Sequence, residues 1–325
     1  MERPYQTWPN DNCIDRSKTL LGTLKLDNDT ATWPLAYSSA DARTNPLMYG
    51  WNSVYIRYCD GGTYAGRRHD PVVVRNTSVH FRGGYILDAI IQDLATKHPV
   101  NFGDGTDFVI GGSSAGGLAV YLHLDRWRAA LPPKAKVVGL ADSGFFLDWS
   151  ASRPSQAKHS YDADLRWGFR NMNATHGVNE ACIAAKLGSG RDSSDCVFAA
   201  NTLPHIKTPI FIMQSPFDSW QLQWEHGEGR MPNFTALNEY GNELTRQLVA
   251  ASSGRKQIGG FVEHCYHHCT TARLWSDAPK IDGMTQSIAF SKWYSGDRHG
   301  LLSQKGELPC TSCGCPAGAV GPRHG

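Results

Sequence analysis

The sequence predicts an α/β fold in which helices cover both faces of a mostly parallel sheet. Three observations carry that reading. Between residues 53 and 141, stretches with strand and helix periodicity alternate at short spacing. A small-residue turn, Gly112-Ser-Ser-Ala-Gly-Gly117, joins a strand of that series to a helix. A later apolar run, Pro209-Ile-Phe-Ile-Met213, is short and bounded by prolines, as a buried strand would be.

Taken in order, Ser53-Val-Tyr-Ile-Arg-Tyr58 alternates and is rich in β-branched and aromatic residues, which predicts a strand ending at the turn Cys59-Asp-Gly-Gly62. From Gly83 to His98, Ile86, Leu87, Ile90, Ile91 and Leu94 share one helical face, opposite Asp88, Gln92 and Asp93. A strand at Asp107-Phe-Val-Ile110, a helix over 115–130 and a strand at Lys136-Val-Val-Gly-Leu-Ala141 complete the series. The polar stretch from Trp149 to Leu203 reads as a helical insertion over the sheet edge, tied by a Cys182 to Cys196 bridge. Late helices are expected over 238–251 and 282–294. Residues 1–300 are expected to form a single domain, and 301–325, rich in Cys, Gly and Pro, a tail outside the core.

At 325 residues the chain is long enough for one large domain or two ordinary ones. A formal charge of +2 provides no positive field to hold nucleic acid, and no stretch approaches the ~18 apolar residues of a membrane span. A monomer is expected. Nine cysteines spread along the chain look like staples added to a hydrophobic core, which points to an oxidising, secretory setting. Asn-x-Ser/Thr triplets at Asn28, Asn76, Asn173 and Asn233 agree with that setting. The opening Met-Glu-Arg-Pro-Tyr-Gln has no apolar signal-peptide region, so either the protein is cytosolic or the chain does not begin where the natural precursor begins.

The strongest chemical signal is the G-x-S-x-G pattern centred on Ser114. Between a strand and a helix it is a nucleophile elbow, a sharp turn that lifts a hydroxyl clear of the sheet, with Gly112 and Gly116 permitting close approach. Its plain alternative is a small-residue turn without chemistry. A serine needs a base, itself oriented by a carboxylate, and in α/β-hydrolases the chain order is Ser, acid, His. Asp218, just past the Pro209 to Met213 strand, is placed for the acid, or is an ordinary turn aspartate. The cluster His264, Cys265, His267, His268, Cys269 supplies candidate bases. With Cys310, Cys313 and Cys315 the cluster could instead form a zinc site, but the spacing matches no standard zinc pattern. Disulfides from Cys265 or Cys269 to the tail are the expected use, with no metal.

Five blocks then carry a resemblance: Ile56-Arg-Tyr-Cys-Asp-Gly-Gly62, Val79-His-Phe-Arg-Gly83, Gly111-Gly-Ser-Ser-Ala-Gly-Gly-Leu118, Ala141-Asp-Ser-Gly-Phe-Phe-Leu-Asp148 and Phe217-Asp-Ser-Trp-Gln221. In this order the chain resembles the pectin acetylesterase and Notum family of serine carboxylesterases. The resemblance implies an α/β-hydrolase-like fold, secretion, disulfides and ester hydrolysis without a cofactor. It implies Ser114 as nucleophile, Asp218 as acid and, from the Phe261-x-x-x-Cys265-x-x-His268 block, His268 as base, with His267 and His264 behind it. Asp142 and Asp148 are expected to be structural or pocket-forming. The Ala115 N–H is expected to donate to the oxyanion.

Relatives carry a Gly-Gly-Gly-Trp-Cys-like or Gly-Gly-Trp-Tyr-Cys-like loop, ahead of the region matching Asn12-Cys13-Ile14, that supplies further oxyanion donors. Nothing in Met1 to Asn12 matches it. The same relatives pair the cysteines matching Cys13 and Cys59 upstream, so both are expected to be unpaired here. The favoured substrate is an acetylated extracellular or cell-wall polysaccharide. The alternatives are a lipid-modified protein, and a non-catalytic or metal-binding relative on the same scaffold.

Overall fold

A computed structural model describes residues 9–23, 35–74, 76–96, 102–149, 160–226, 233–270, 275–297 and 299–322. Helix α1 (Pro9–Ser17) leads to a hairpin of β1 (Val72–Val74) and β2 (Thr77–Val79), followed by α2 (Gly83–Thr96). Next come β3 (Asp107–Ser113), α3 (Ala115–Ala130) and β4 (Lys136–Asp142). Helices α4 (Tyr161–Asn171), α5 (Glu180–Gly188) and the short α6 (Ala199–Thr202) precede β5 (Ile210–Gln214). After α7 (Ser219–Gln221) and the long α8 (Phe234–Ser252) come β6 (Ile258–Val262), α9 (Gln286–Ser295) and β7 (Gly300–Ser303). Strands β3 to β7 lie side by side in chain order, all parallel, in a five-stranded sheet. The protein has the α/β-hydrolase-like architecture expected.

Burial on both faces explains the apolar run of β5. Ile210 and Ile212 join a cluster with Val120, Tyr121 and Leu124 of α3 and Leu237, Leu244 and Leu248 of α8. Phe211 and Met213 point the other way, into a cluster with Phe290 and Trp293 of α9. A strand covered on both faces needs apolar residues at successive positions, so alternation disappears.

Several elements depart from the expectation. Residues 52–59 form no strand. Ile56 and Tyr58 pack as the alternation implies, against Leu87, Leu94 and Trp127, but the Arg57 carbonyl accepts from the Tyr64 hydroxyl at 2.6 Å. Helix α8 begins earlier, at Phe234, because the Asn233 side chain caps it by accepting from Ala236 N at 2.9 Å. Helix α9 begins later, at Gln286, after Thr285 caps it and Asp282 and Gly283 take φ of 50° and 75°.

The insertion lies over α3 rather than a sheet edge: Phe169, Val178, Ile183 and Phe198 pack with Leu118 and Leu122. A Cys182–Cys196 disulfide closes it. The expected boundary at 300/301 falls inside the sheet, because β7 pairs with β6. Nor does the tail stand apart. Cys265–Cys315 bridges it to the core, Cys310–Cys313 closes a loop within it, and Leu308 N donates to Asn238 Oδ1 at 2.7 Å.

Candidate active site

The site is built at the carboxyl ends of β3, β5 and β6. Where β3 ends, Ser114 takes φ 58° and ψ −122°, and α3 begins at the next residue. Such a backbone costs a non-glycine residue about 1–3 kcal/mol and persists where packing over-determines it. The packing is close: a Cβ on Gly112 would lie 2.3 Å from the Gly116 carbonyl oxygen, and one on Gly117 would lie 2.4 Å from that of Asp142. The expectation for Gly116 was different. A Cβ there meets nothing, so the tight positions are 112 and 117.

Ser114 Oγ lies 2.8 Å from His268 Nε2. The other ring nitrogen, Nδ1, lies 2.7 Å and 2.9 Å from Asp218 Oδ2 and Oδ1. Asp218 is fully buried, and His268 retains 17% side-chain exposure. The carboxylate accepts only, so Nδ1 carries a proton and donates to it, which leaves Nε2 free to accept from the serine hydroxyl. Asp218 also caps α7, with Oδ1 accepting from the N–H of Trp220 at 3.0 Å and of Gln221 at 3.1 Å. Burial opposes charge on His268, yet the Asp218 carboxylate and its hydrogen bond outweigh it and raise the imidazole above its ordinary range. Ala115 stands at the first position of α3, where a backbone N–H has no acceptor within the helix.

The neighbouring histidines are engaged elsewhere. His264 Nδ1 lies 2.7 Å from the Gly306 carbonyl, and its ring meets Phe217 edge-on at 5.3 Å. His267 Nε2 lies 2.6 Å from Oε1 of Glu263, which is fully buried. Here too burial opposes the charge and Glu263 overrides it, raising the imidazole. Glu263, Cys265 and His267 come within 4.8 Å of one another, but the Cys265 sulfur is bound to Cys315 and so offers no thiolate ligand.

Of the two cysteines weighed for a bridge to the tail, Cys265 makes it, and Cys269 has a free thiol, as do Cys13 and Cys59. Cys310 and Cys313 bond each other and Cys315 takes Cys265, so the tail has no sulfur left for it. Asp148 pairs with Arg166, which also binds Asp195 at 3.0 Å, and so fastens the post-β4 loop to the insertion.

Two groups escaped the sequence reading. Phe146, Tyr161 and Trp220 form a mutually touching aromatic trio, and the Trp220 ring lies 6.1 Å from that of His268 at an interplanar angle of 32°. The Tyr240 hydroxyl contacts both Glu225 Oε2 at 2.7 Å and Gln221 Oε1 at 2.9 Å. Glu225 and its neighbours form a π-helical turn, Leu222–His226, directly after α7. A π-turn is a frequent accompaniment of functional sites, but no periodicity announces it.

Residues 7–314 match the family model described as Pectinacetylesterase. Pectin acetylesterase 11 of Arabidopsis thaliana is 27% identical over 312 residues, covering 88% of this chain and 76% of that protein. The palmitoleoyl-protein carboxylesterase NOTUM of Schmidtea mediterranea is 31% identical over 281 residues, covering 82% of this chain and 50% of that protein. The solved structure of the Wnt deacylase Notum from Drosophila superposes with a TM-score of 0.76 at 26% identity, covering 94% of this chain and 86% of the other. This chain belongs to the pectinacetylesterase family, and its relatives are carboxylic ester hydrolases.

Proposed function

We propose that the protein is a serine carboxylesterase that removes acetyl groups from an extracellular polysaccharide, with Ser114 as nucleophile, His268 as base and Asp218 as the carboxylate that orients it. The observation that carries this reading is the unbroken contact from Ser114 Oγ through both nitrogens of His268 to a buried Asp218. In the first half-reaction His268 Nε2 takes the serine proton as Oγ attacks the ester carbonyl, and returns it to the departing alcohol oxygen. In the second, Nε2 deprotonates a water that attacks the acyl-enzyme and releases the acid. Asp218 holds the imidazole in the required tautomer and stabilises its charged form in each half. The Ala115 N–H, at the start of α3, is the donor proposed for the negative charge that develops on the carbonyl oxygen.

Disulfides support an oxidising compartment for this reading. No helix among the described residues is long and apolar enough to cross a membrane. The similarity to Notum supports a second reading, removal of a longer acyl chain from a protein.

Hydrolysis of p-nitrophenyl acetate and octanoate, with release of acetate from acetylated pectin, tests these readings. Ser114→Ala is expected to lower acetate turnover by on the order of 10⁶, and His268→Ala comparably, as in other serine triads. His267→Ala is expected to lose much less. Equal negligible rates in wild type and Ser114→Ala would overturn the esterase reading, and a greater loss in His267→Ala than in His268→Ala would overturn the choice of base.

A further inference from the structure

The aromatic trio beside the triad bears on which acyl group the site accepts, an inference that rests on the esterase reading. Phe146 is 4% exposed and comes from the loop after β4, Tyr161 opens α4, and Trp220 sits in α7. Their ring centroids are 5.6 Å apart for Phe146 and Trp220, 5.6 Å for Tyr161 and Trp220, and 6.0 Å for Phe146 and Tyr161. The edge-to-face arrangement of Trp220 against both partners is the favourable one for aromatic pairs. The trio is continuous with Leu118, in the first turn of α3, so it extends from the base toward the helix that begins beside the nucleophile.

The position of Trp220 is set by the triad itself. Its backbone N–H donates to Asp218 Oδ1, and its ring leans on His268. A small shift of this wall would therefore move the groups that do the chemistry.

In the tetrahedral adduct on Ser114, the leaving oxygen must face His268 Nε2 and the oxyanion must face Ala115 N–H. The remaining substituent is the acyl carbon chain. In an acetylated sugar the methyl group is the apolar part next to the carbonyl, whereas the alcohol side is a polyol that favours polar partners and water. An apolar wall against the base suits the first and not the second.

The geometry points to Trp220 as the residue that limits the acyl group to acetyl size, with Tyr161 closing the same wall from α4. Removing either ring opens room beyond the acyl methyl. One methylene in an apolar pocket changes discrimination by about 10-fold to 200-fold, so opening the wall changes chain-length preference by at least roughly tenfold.

The test is the ratio of kcat/KM for p-nitrophenyl octanoate to that for p-nitrophenyl acetate, measured in wild type, Trp220→Ala and Tyr161→Ala. The ratio isolates the pocket, because any disturbance of His268 slows both esters alike. Trp220→Ala is expected to raise it about tenfold or more, and Tyr161→Ala to raise it by a smaller factor. If Trp220→Ala melts below the assay temperature, Tyr161→Ala and Trp220→Leu carry the same test. Ser114-dependent turnover with an unchanged or lower ratio overturns this proposal and leaves the esterase reading intact. A selective loss on acetylated pectin with an unchanged ratio also overturns it, by showing that the rings hold the sugar. Absence of Ser114-dependent turnover in wild type overturns both.

Discussion

Asp142 holds Thr270 through one carboxylate oxygen: Oδ1 accepts from Thr270 N at 3.1 Å and from its Oγ1 at 2.8 Å. Its other oxygen accepts from Ser113 Oγ at 2.8 Å. Ser143 adds a relay, donating to Asp142 Oδ1 at 3.0 Å and accepting from Cys269 N at 3.0 Å. One buried side chain therefore joins the residue before Ser114 to the residues just after His268.

Asp142→Ala is expected to uncouple the two halves of the site. It removes the acceptor of the buried Thr270, at about 1–3 kcal/mol. A lower melting temperature should be accompanied by a fall in kcat of about 10-fold to 100-fold, because a displacement near 1 Å costs that much. Asp142→Asn keeps one acceptor oxygen and should lie between. Thermal unfolding and acetate-ester kinetics on the same preparations check it; a drop in stability with unchanged kcat would show that Asp142 does not position the site.

Asp218→Asn tests the electrostatics of His268, the proposed base. Burial opposes charge on His268 and Asp218 raises its pKa in spite of that, so removing the negative charge lowers it. The base must be neutral to accept the serine proton, and kcat/KM rises with pH as His268 deprotonates. The acid limb should therefore move to lower pH while the plateau falls about 10⁴-fold through the wrong tautomer. A pH–rate profile decides, since a limb moving to higher pH contradicts the assignment.

Glu225 lies buried against the Tyr240 hydroxyl. The tyrosine hydroxyl has one hydrogen but contacts two acceptors, Gln221 Oε1 and Glu225 Oε2. The Gln221 oxygen also accepts from Leu147 N, and the Tyr240 hydroxyl donates to Glu225 Oε2. Burial raises Glu225 well above the usual carboxylate range, against the lowering effect of the hydrogen bond it accepts from Tyr240. The folded state thus keeps a proton that the unfolded chain releases near its ordinary value of about 4.3. The stabilisation is complete below that pH and fades as pH rises toward the folded value. Glu225→Gln keeps an acceptor oxygen and has no proton to lose, so its melting temperature should match wild type near pH 4 and exceed it increasingly toward pH 8. A constant difference across that range would mean that Glu225 is ionised in the fold.

The residues proposed for the chemistry were more legible than the sheet that holds them. Ser114, Asp218 and His268 sit in short motifs whose spacing is dictated by turn geometry, and the fold brings those residues into contact. Strand β6 left little trace because two of its five residues are glycines. The reason is packing. A Cβ on Gly259 would meet the Trp293 ring at 2.3 Å, and one on Gly260 would meet Leu301 at 2.6 Å and the Ile212 carbonyl at 2.7 Å. Strand propensity was given up where α9 and the neighbouring strands come closest. Trp220 and Glu225 were illegible for another reason: their roles depend on partners from α4, the post-β4 loop and α8, which no local pattern connects.

The bridge between Cys265 and Cys315 spans 50 residues and attaches the tail three positions before His268. Around it Tyr266 N donates to the Ala319 carbonyl at 2.7 Å and His264 N to Gln304 Oε1 at 2.8 Å. Cys265 N donates at 2.8 Å to Glu263, the partner of His267, and the His267 carbonyl accepts from Ser219 N at 3.1 Å beside Asp218. A chain-entropy estimate for a loop of this length is about 4 kcal/mol of stabilisation. Cys315→Ala should approach that loss in denaturant unfolding. The local effect should come first: freeing the tail loosens the segment from Glu263 to His268 while the clusters on both sheet faces remain packed. Acetate-ester activity is therefore expected to fall at a lower denaturant concentration than far-ultraviolet circular dichroism in Cys315→Ala, whereas the two transitions should coincide in wild type. Coincident transitions in the variant would show that the bridge secures the fold as a whole and has no separate hold on the base.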